Sequence, residues 1–92
     1  MSVVTVRVPA QLRTLTGGAS ELSLEGTTVG EVLKALDAAH PGMSDRLFDD
    51  SGALRRFVNV FLDDEDVRFL EGLGTPVSGG QTVSIVPAVA GG

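Results

Sequence analysis

Thr28-Val29-Gly30-Glu31-Val32-Leu33-Lys34-Ala35-Leu36-Asp37 is the stretch on which the fold turns. Thr28 and Glu31 have the spacing of a capping box, in which a Thr oxygen accepts from the backbone three residues on and a Glu reaches back. Val29, Val32, Leu33 and Leu36 recur at i, i+3, i+4 and i+7 and form one apolar stripe of a helix. Glu31, Lys34 and Asp37 fall off that stripe. His40-Pro41-Gly42 stops the helix. A helix with one apolar stripe must bury it on something, and the segments around it supply a sheet.

Ser2 to Val8 alternates, with Val4, Val6 and Val8 on one face and Val3, Thr5 and Arg7 on the other. Pro9 closes this strand, and Leu12 and Leu15 are expected to fold back over the sheet edge. After a turn at Gly17-Gly18, Glu21 to Leu24 makes a second strand with Leu22 and Leu24 inward. Beyond the helix, Ser44 to Phe48 reads as a short helical turn capped by Ser44, and Asp49-Asp50-Ser51-Gly52 as a turn. Phe57 to Leu62 is a strong strand that puts Val58, Val60 and Leu62 on one face and Phe57, Asn59 and Phe61 on the other. Asp63-Asp64-Glu65-Asp66 reads as a solvated hairpin turn, because the run lacks the spaced oxygen ligands and glycine of a calcium loop. Val67 to Leu70 follows as a short strand. Leu73 and Val77 plug the core from an irregular connection. Thr82 to Val86 is the last strand, with Val83 and Ile85 inward, and Pro87 ends it. The order predicts an α+β fold: a mixed sheet of about five strands with one main helix on one face. Residues 1–86 form the domain and 87–92 a flexible C-terminal tail.

Ninety-two residues suffice for one modest core. A net charge of −5 argues against nucleic acid, which requires clustered cations to displace counterions. Zero cysteines exclude disulfides, thiol redox chemistry and Cys-ligated zinc. No apolar run approaches the roughly 18 residues of a membrane span, and the N-terminus carries no secretory pattern, so no membrane and a cytoplasmic location are expected. The single lysine against six arginines is read as compositional bias.

The sequence carries none of the phosphate-loop, dinucleotide-fingerprint, GxSxG or HExxH patterns. His40 is the only histidine, and it reads as a solvated residue at the negative end of the helix dipole. No metal site is expected, and the chain is not expected to be an enzyme.

Pro87-Ala88-Val89-Ala90-Gly91-Gly92 holds the candidate chemistry. Its reactive group is the α-carboxylate of Gly92, a poor electrophile until ATP activates it as an acyl-adenylate. Gly91 and Gly92 lack Cβ atoms, so the backbone can pass closely into a narrow nucleotide site. Six extended residues reach roughly 20 Å. Val89 is a candidate anchor along the way, with Ala90 beside it. An outward apolar patch of Phe57 and Phe61, extended by Val86, is a candidate docking surface. Loops covering these rings are the other reading of the same pattern.

The order of elements and the diglycine end resemble the ubiquitin-like, β-grasp sulfur carrier proteins of the MoaD/ThiS family, most of all the CysO-type carriers. The likeness runs through Arg56-Phe57-Val58-Asn59-Val60-Phe61, Asp64-Glu65-Asp66-Val67-Arg68-Phe69 and the tail. It implies that an E1-like (MoeB/ThiF-type) enzyme adenylates the Gly92 carboxylate with ATP and that a sulfur donor then leaves a Gly92 thiocarboxylate. It implies a sulfur-acceptor synthase as the next partner and, in CysO-type systems, a JAMM-type metalloprotease that frees cysteine. Similar carriers feed thiamin, molybdopterin and other sulfur-containing metabolites. No cofactor is expected on the chain itself. Two other readings use the same residues: a ubiquitin-like modifier conjugated to lysine, and a plain interaction module that binds through Phe57 and Phe61.

Overall fold

The structure, a computed structural model, describes residues 2–56 and 58–87. Five strands form one mixed sheet: β1 (Ser2–Arg7), β2 (Glu21–Gly26), β3 (Val58–Leu62), β4 (Glu65–Asp66) and β5 (Thr82–Pro87). Their spatial order is β2-β1-β5-β3-β4. The first and last strands are parallel neighbours at the centre, paired as Thr5 with Thr82 and Arg7 with Ser84. All other pairs are antiparallel. The long helix α1 (Val29–Ala39) and a short one, α2 (Met43–Leu47), lie between β2 and β3 in sequence. This is the ubiquitin-like β-grasp arrangement.

The alternation anticipated from the sequence decides which face is dry. Val4, Val6 and Val8 meet Val58, Val60, Leu62, Val83 and Ile85 in one core with Val29, Val32, Leu33 and Leu36 of α1. Leu33 and Leu36 are fully buried. Leu22 and Leu24 are only partly buried, because β2 is an edge strand. Leu12, Leu15 and Leu73 pack against the core from the connections, and Val77 joins it outright. Gly26 ends β2 beneath the helix. A Cβ there would stand 2.9 Å from Val32 Cγ2 and 3.0 Å from Val32 N, so the close approach of α1 to β2 requires glycine. No helix among the described residues is long and apolar enough to cross a membrane.

Several local expectations are corrected. The Thr28 side chain accepts from Glu31 N–H at 3.2 Å, as a cap should. The return contact, however, goes one residue further back: Glu31 Oε1 accepts from the Thr27 backbone N–H at 2.9 Å and the Thr27 hydroxyl at 2.6 Å. Two donors on one residue offer the carboxylate more than the Thr28 N–H alone. These bonds, the hydroxyl first, hold the Glu31 carboxyl below the ordinary carboxylate range. Ser44 does not cap α2. Gly42, at φ 104°, is the N-cap, and the orphan Ser44 N–H is satisfied by Asp37 Oδ1 at 2.9 Å. That bond is the main reason the Asp37 carboxyl is also lowered.

The short strand is displaced as well. It occupies Glu65–Asp66, inside the acidic run, and Val67–Phe69 is a 3-10 turn. Asp66 accepts from Arg68 N–H at 2.8 Å, and this side-chain cap outweighs the strand propensity of Val67 and Phe69. The tight turn is Asp63-Asp64, where Asp63 adopts φ 54°, a left-handed conformation that aspartate tolerates. β2 runs two residues further than expected, to Gly26. β5 takes in Pro87, which stands opposite Val58 at the very end of the ladder, where a missing donor costs least.

Candidate functional site

β5 leads the chain to its C-terminal segment, and both neighbours of β5 shape the exit. β3 accompanies it to the end, through the pairs Val60 with Ile85, Asn59 with Val86 and Val58 with Pro87. The β1 pairing stops earlier, at Arg7 with Ser84, because Val8 and Pro9 turn away into the 3-10 turn Ala10–Leu12. From Ile85 onward β5 is therefore ladder-bonded on one side only. The root of the tail is fixed by half a sheet and open on the other edge.

On the outer face of the sheet, the register brings together two residues of the predicted docking patch. Phe61 pairs with Ser84, so Val86 lies at the diagonal position beside it, within reach of an aromatic side chain. Phe61 is half-buried and Val86 is 43 % exposed. Phe61 thus belongs neither to the core nor fully to solvent. The same row continues through Ser84 to Arg7 and Glu21, whose side chains pair at 3.2 Å. Thr82, Thr5 and Ser23 form the next row. The face is apolar toward β3 and hydroxyl-rich in the middle.

On the helix side, the early departure of β1 leaves a cleft of about 510 Å³ at the foot of β5. Ile85, Pro87 and Leu12 make its apolar floor, and Arg46, Arg55, Arg56 and Asp49 its rim. Asp49 is already committed: its Oδ1 accepts from the Ser51 hydroxyl at 2.6 Å and from the Ser51 and Ala53 N–H groups. These bonds, the Ser51 hydroxyl first, hold its carboxyl below the usual range. A second groove, of about 340 Å³, lies between α1 and α2 near Lys34, Phe48 and Leu73.

Two side chains hold the exit in shape. β4 is only two residues long, so the outer edge of β3 would be bare beyond Phe61. Arg68 covers it, donating to Val58 O at 2.7 Å, Arg55 O at 3.1 Å and Asn59 Oδ1 at 2.6 Å. One guanidinium thus completes the edge that the strand leaves open. At the other end of β5, Asp63 accepts from Thr82 N–H at 3.0 Å and Gln81 Nε2 at 3.1 Å, and donates its own N–H to Thr82 O. It ties the β3–β4 turn to the start of the strand that carries the tail.

Of the residues singled out from the sequence, Phe61 and Val86 come together on the outer face. Phe57, Val89, Ala90, Gly91 and Gly92 lie outside the described residues. The reading of the sequence missed Arg68, Asp63 and the arginine-rimmed cleft. The adjacent Arg55-Arg56 pair was the one visible signal for the cleft, since Arg46 joins it only through the packing of α2. Among the described residues no cluster of three or more His, Asp or Glu is placed to hold a metal ion.

Comparison with known proteins agrees with this geometry. The ThiS family model matches residues 6–92. The sulfur carrier protein CysO of Mycobacterium tuberculosis is 50 % identical over 91 residues, covering 97 % of this chain and 98 % of that protein. A chain of the Amycolatopsis orientalis BexX/CysO complex superposes with a TM-score of 0.91 at 46 % identity, covering 97 % of this chain and 99 % of the other. Small archaeal modifier protein 3 of Haloferax volcanii is 40 % identical over 68 residues, covering 74 % of this chain and 73 % of that protein. The chain belongs to the ThiS family. Within it, the chain is CysO-like in sequence and in its ubiquitin-like fold.

Proposed function

We propose that this CysO-like chain is a sulfur carrier whose working group is the carboxylate of Gly92. The observation that carries the reading is its likeness to CysO along almost the whole of both chains, within a family match that runs through Gly92. In this reading a Gly92 carboxylate oxygen attacks the α-phosphorus of ATP on an E1-like (MoeB/ThiF-type) enzyme, and pyrophosphate leaves. A sulfide-class donor then attacks the acyl carbon and displaces AMP, so that sulfur replaces one carboxylate oxygen. The thiocarboxylate is a soft nucleophile that a sulfur-acceptor synthase consumes. Cysteine is the product this reading favours, with a JAMM-type protease releasing it. The chain is a co-substrate throughout and holds no cofactor itself, since ATP is bound by its partner.

The physical logic fits the exit. Gly91 and Gly92 present no side chains to a narrow channel, while Phe61 and Val86 offer an apolar contact beside the root of the tail. Val89 and Ala90 would follow the diglycine toward the channel, and Phe57 would extend the apolar contact. The test is the intact mass of the full chain after incubation with the activating enzyme, ATP and sulfide, beside a chain lacking Gly92. Exchange of oxygen for sulfur only in the full-length chain is expected. Exchange in both chains removes Gly92 from the mechanism, and exchange in neither removes the carrier reading.

The likeness to a small archaeal modifier protein favours a second reading, conjugation to lysine amines through the same adenylate. It predicts amide-linked forms of higher mass in host lysate, absent when Gly92 is deleted.

A further inference from the structure

The arginine-rimmed cleft has no part in the chemistry just described, yet it lies against Ile85 and Pro87, the last described part of β5. Arg46, Arg55, Arg56 and Asp49 give its rim a formal charge of +2, which leaves −7 on the rest of a chain whose total is −5. Half of the six arginines in the sequence are therefore gathered around one opening. None of the three is ion-paired among the described residues, where the one salt bridge is Arg7 with Glu21. Asp49, the acid that lines the cleft, spends one oxygen on its own turn, and Arg55 contributes only a smaller part of what lowers its carboxyl.

The rim is also built rather than incidental. Arg55 Nε donates to Asp45 O at 3.0 Å, which holds that side chain against α2. Its carbonyl is gripped by Arg68 at 3.1 Å. The floor, Ile85 and Pro87, is the last part of β5 before the tail.

We propose that this cleft docks an acidic segment of the protein that takes the tail, its carboxylates meeting Arg46, Arg55 and Arg56 as the chain is drawn past Pro87. The proposal rests on the carrier reading for the identity of that protein, an adenylating enzyme. Charge complementarity argues for the occupant: an opening with a net positive rim on an otherwise negative molecule attracts carboxylates and orients the encounter. The tail beyond Pro87 carries no charged side chain, so this rim supplies the charge that sets the direction of approach. The partner then grips the root of the tail from two sides, with Phe61 and Val86 on the outer face and the arginines on the helix side.

The experiment measures ATP–pyrophosphate exchange by the purified MoeB/ThiF-type enzyme of the same genome, with full-length chain as the varied substrate. Arg46→Glu with Arg56→Glu should raise KM at least tenfold, about 1.4 kcal/mol, with kcat changed less than twofold. KCl raised from about 50 to 300 mM should weaken the wild type and leave the double variant nearly flat. Lys34→Glu, which changes charge away from the cleft, should behave as wild type, and Arg56→Glu alone should not. A double variant with the KM of wild type, or a Lys34→Glu effect equal to that of Arg56→Glu, overturns the proposal while the carrier reading stands.

If the wild type is not activated at all, the carrier reading falls and a second measurement decides the cleft. Amide shifts of the labelled full chain are followed against a hexaglutamate peptide and against inorganic phosphate. Shifts at Leu12, Arg46 and Arg56 with the peptide alone support an acidic segment. No shifts, or equal shifts with phosphate, overturn it.

Discussion

Val60 and Phe61 are neighbours in β3 and point to opposite faces of the same sheet. Val60 is fully buried against the core. Phe61, the larger and more apolar of the two, is only half-buried, beside a Val86 that is 43 % exposed. The helices α1 and α2 cover the inner face, and no element among the described residues supplies a second layer for the outer one. Among the described residues this two-layer fold therefore leaves the outer face of its sheet partly open, with Phe61 and Val86 on it. Inner-face residues should govern stability and outer-face residues encounter with partners, and substitutions can break or sharpen that division.

The largest effect should come from the inner layer. Leu33→Ala removes a fully buried side chain and should cost about 2–5 kcal/mol, lowering Tm by ten degrees or more. Sulfur loading of the molecules that remain folded should be unchanged. A small Tm shift would mean that α1 is not the keystone of the core.

Phe61→Asp should do the reverse. Adenylation efficiency should fall at least tenfold, equivalent to about 1.4 kcal/mol, with Tm moved by a few degrees at most. A collapse of Tm with normal efficiency in the folded fraction would assign Phe61 to the core and dissolve the distinction between the faces.

Arg68→Ala tests whether the covered edge of β3 belongs with stability or with docking. Three hydrogen bonds are lost, but the side chain is exposed, so a cost of about 1 kcal/mol is expected. Faster hydrogen exchange should be concentrated in Val58 to Val60. Uniform acceleration across the sheet would show that the clamp has no local role.

The smallest effect is a pH dependence. Glu31, Asp37 and Asp49 all have carboxyls lowered by hydrogen bonds they accept in the folded state. A lowered folded pKa contributes stability that is full above the unfolded pKa, near 4 for carboxylates. It is lost as pH falls through the folded value. Thermal melts should therefore hold steady above about pH 5 and decline below about pH 4. Asp49→Asn combined with Glu31→Gln should flatten the decline. An unchanged acid limb in that double variant would rule these two groups out as its source.

Much of the architecture was legible in the sequence because period is a local property. The stripe Val29, Val32, Leu33 and Leu36 and the alternation of Val4, Val6, Val58, Val60, Val83 and Ile85 each specify a face, and the face they specify is the buried one. What failed was the detail of side-chain bonds between near neighbours. Thr27 competes with Thr28 for Glu31, Asp37 rather than Ser44 satisfies the start of α2, and the Asp66 cap turns Val67–Phe69 into a 3-10 turn. Such contests are settled by differences of one hydrogen bond, below what residue type and spacing resolve.

By itself, the sequence determined an α+β chain with one amphipathic helix, an outward Phe61 and a side-chain-poor diglycine segment, since each follows from residues close together in the chain. Tertiary structure alone decided that β5 runs parallel to β1 at the sheet centre, so that β1's early departure opens a cleft at the root of the tail. It also decided that Arg46 joins Arg55 and Arg56 there, and that Arg68 reaches nine residues back to Asn59. The reason is the same in each case: long-range pairing sets which distant residues share a surface, and no local period encodes it.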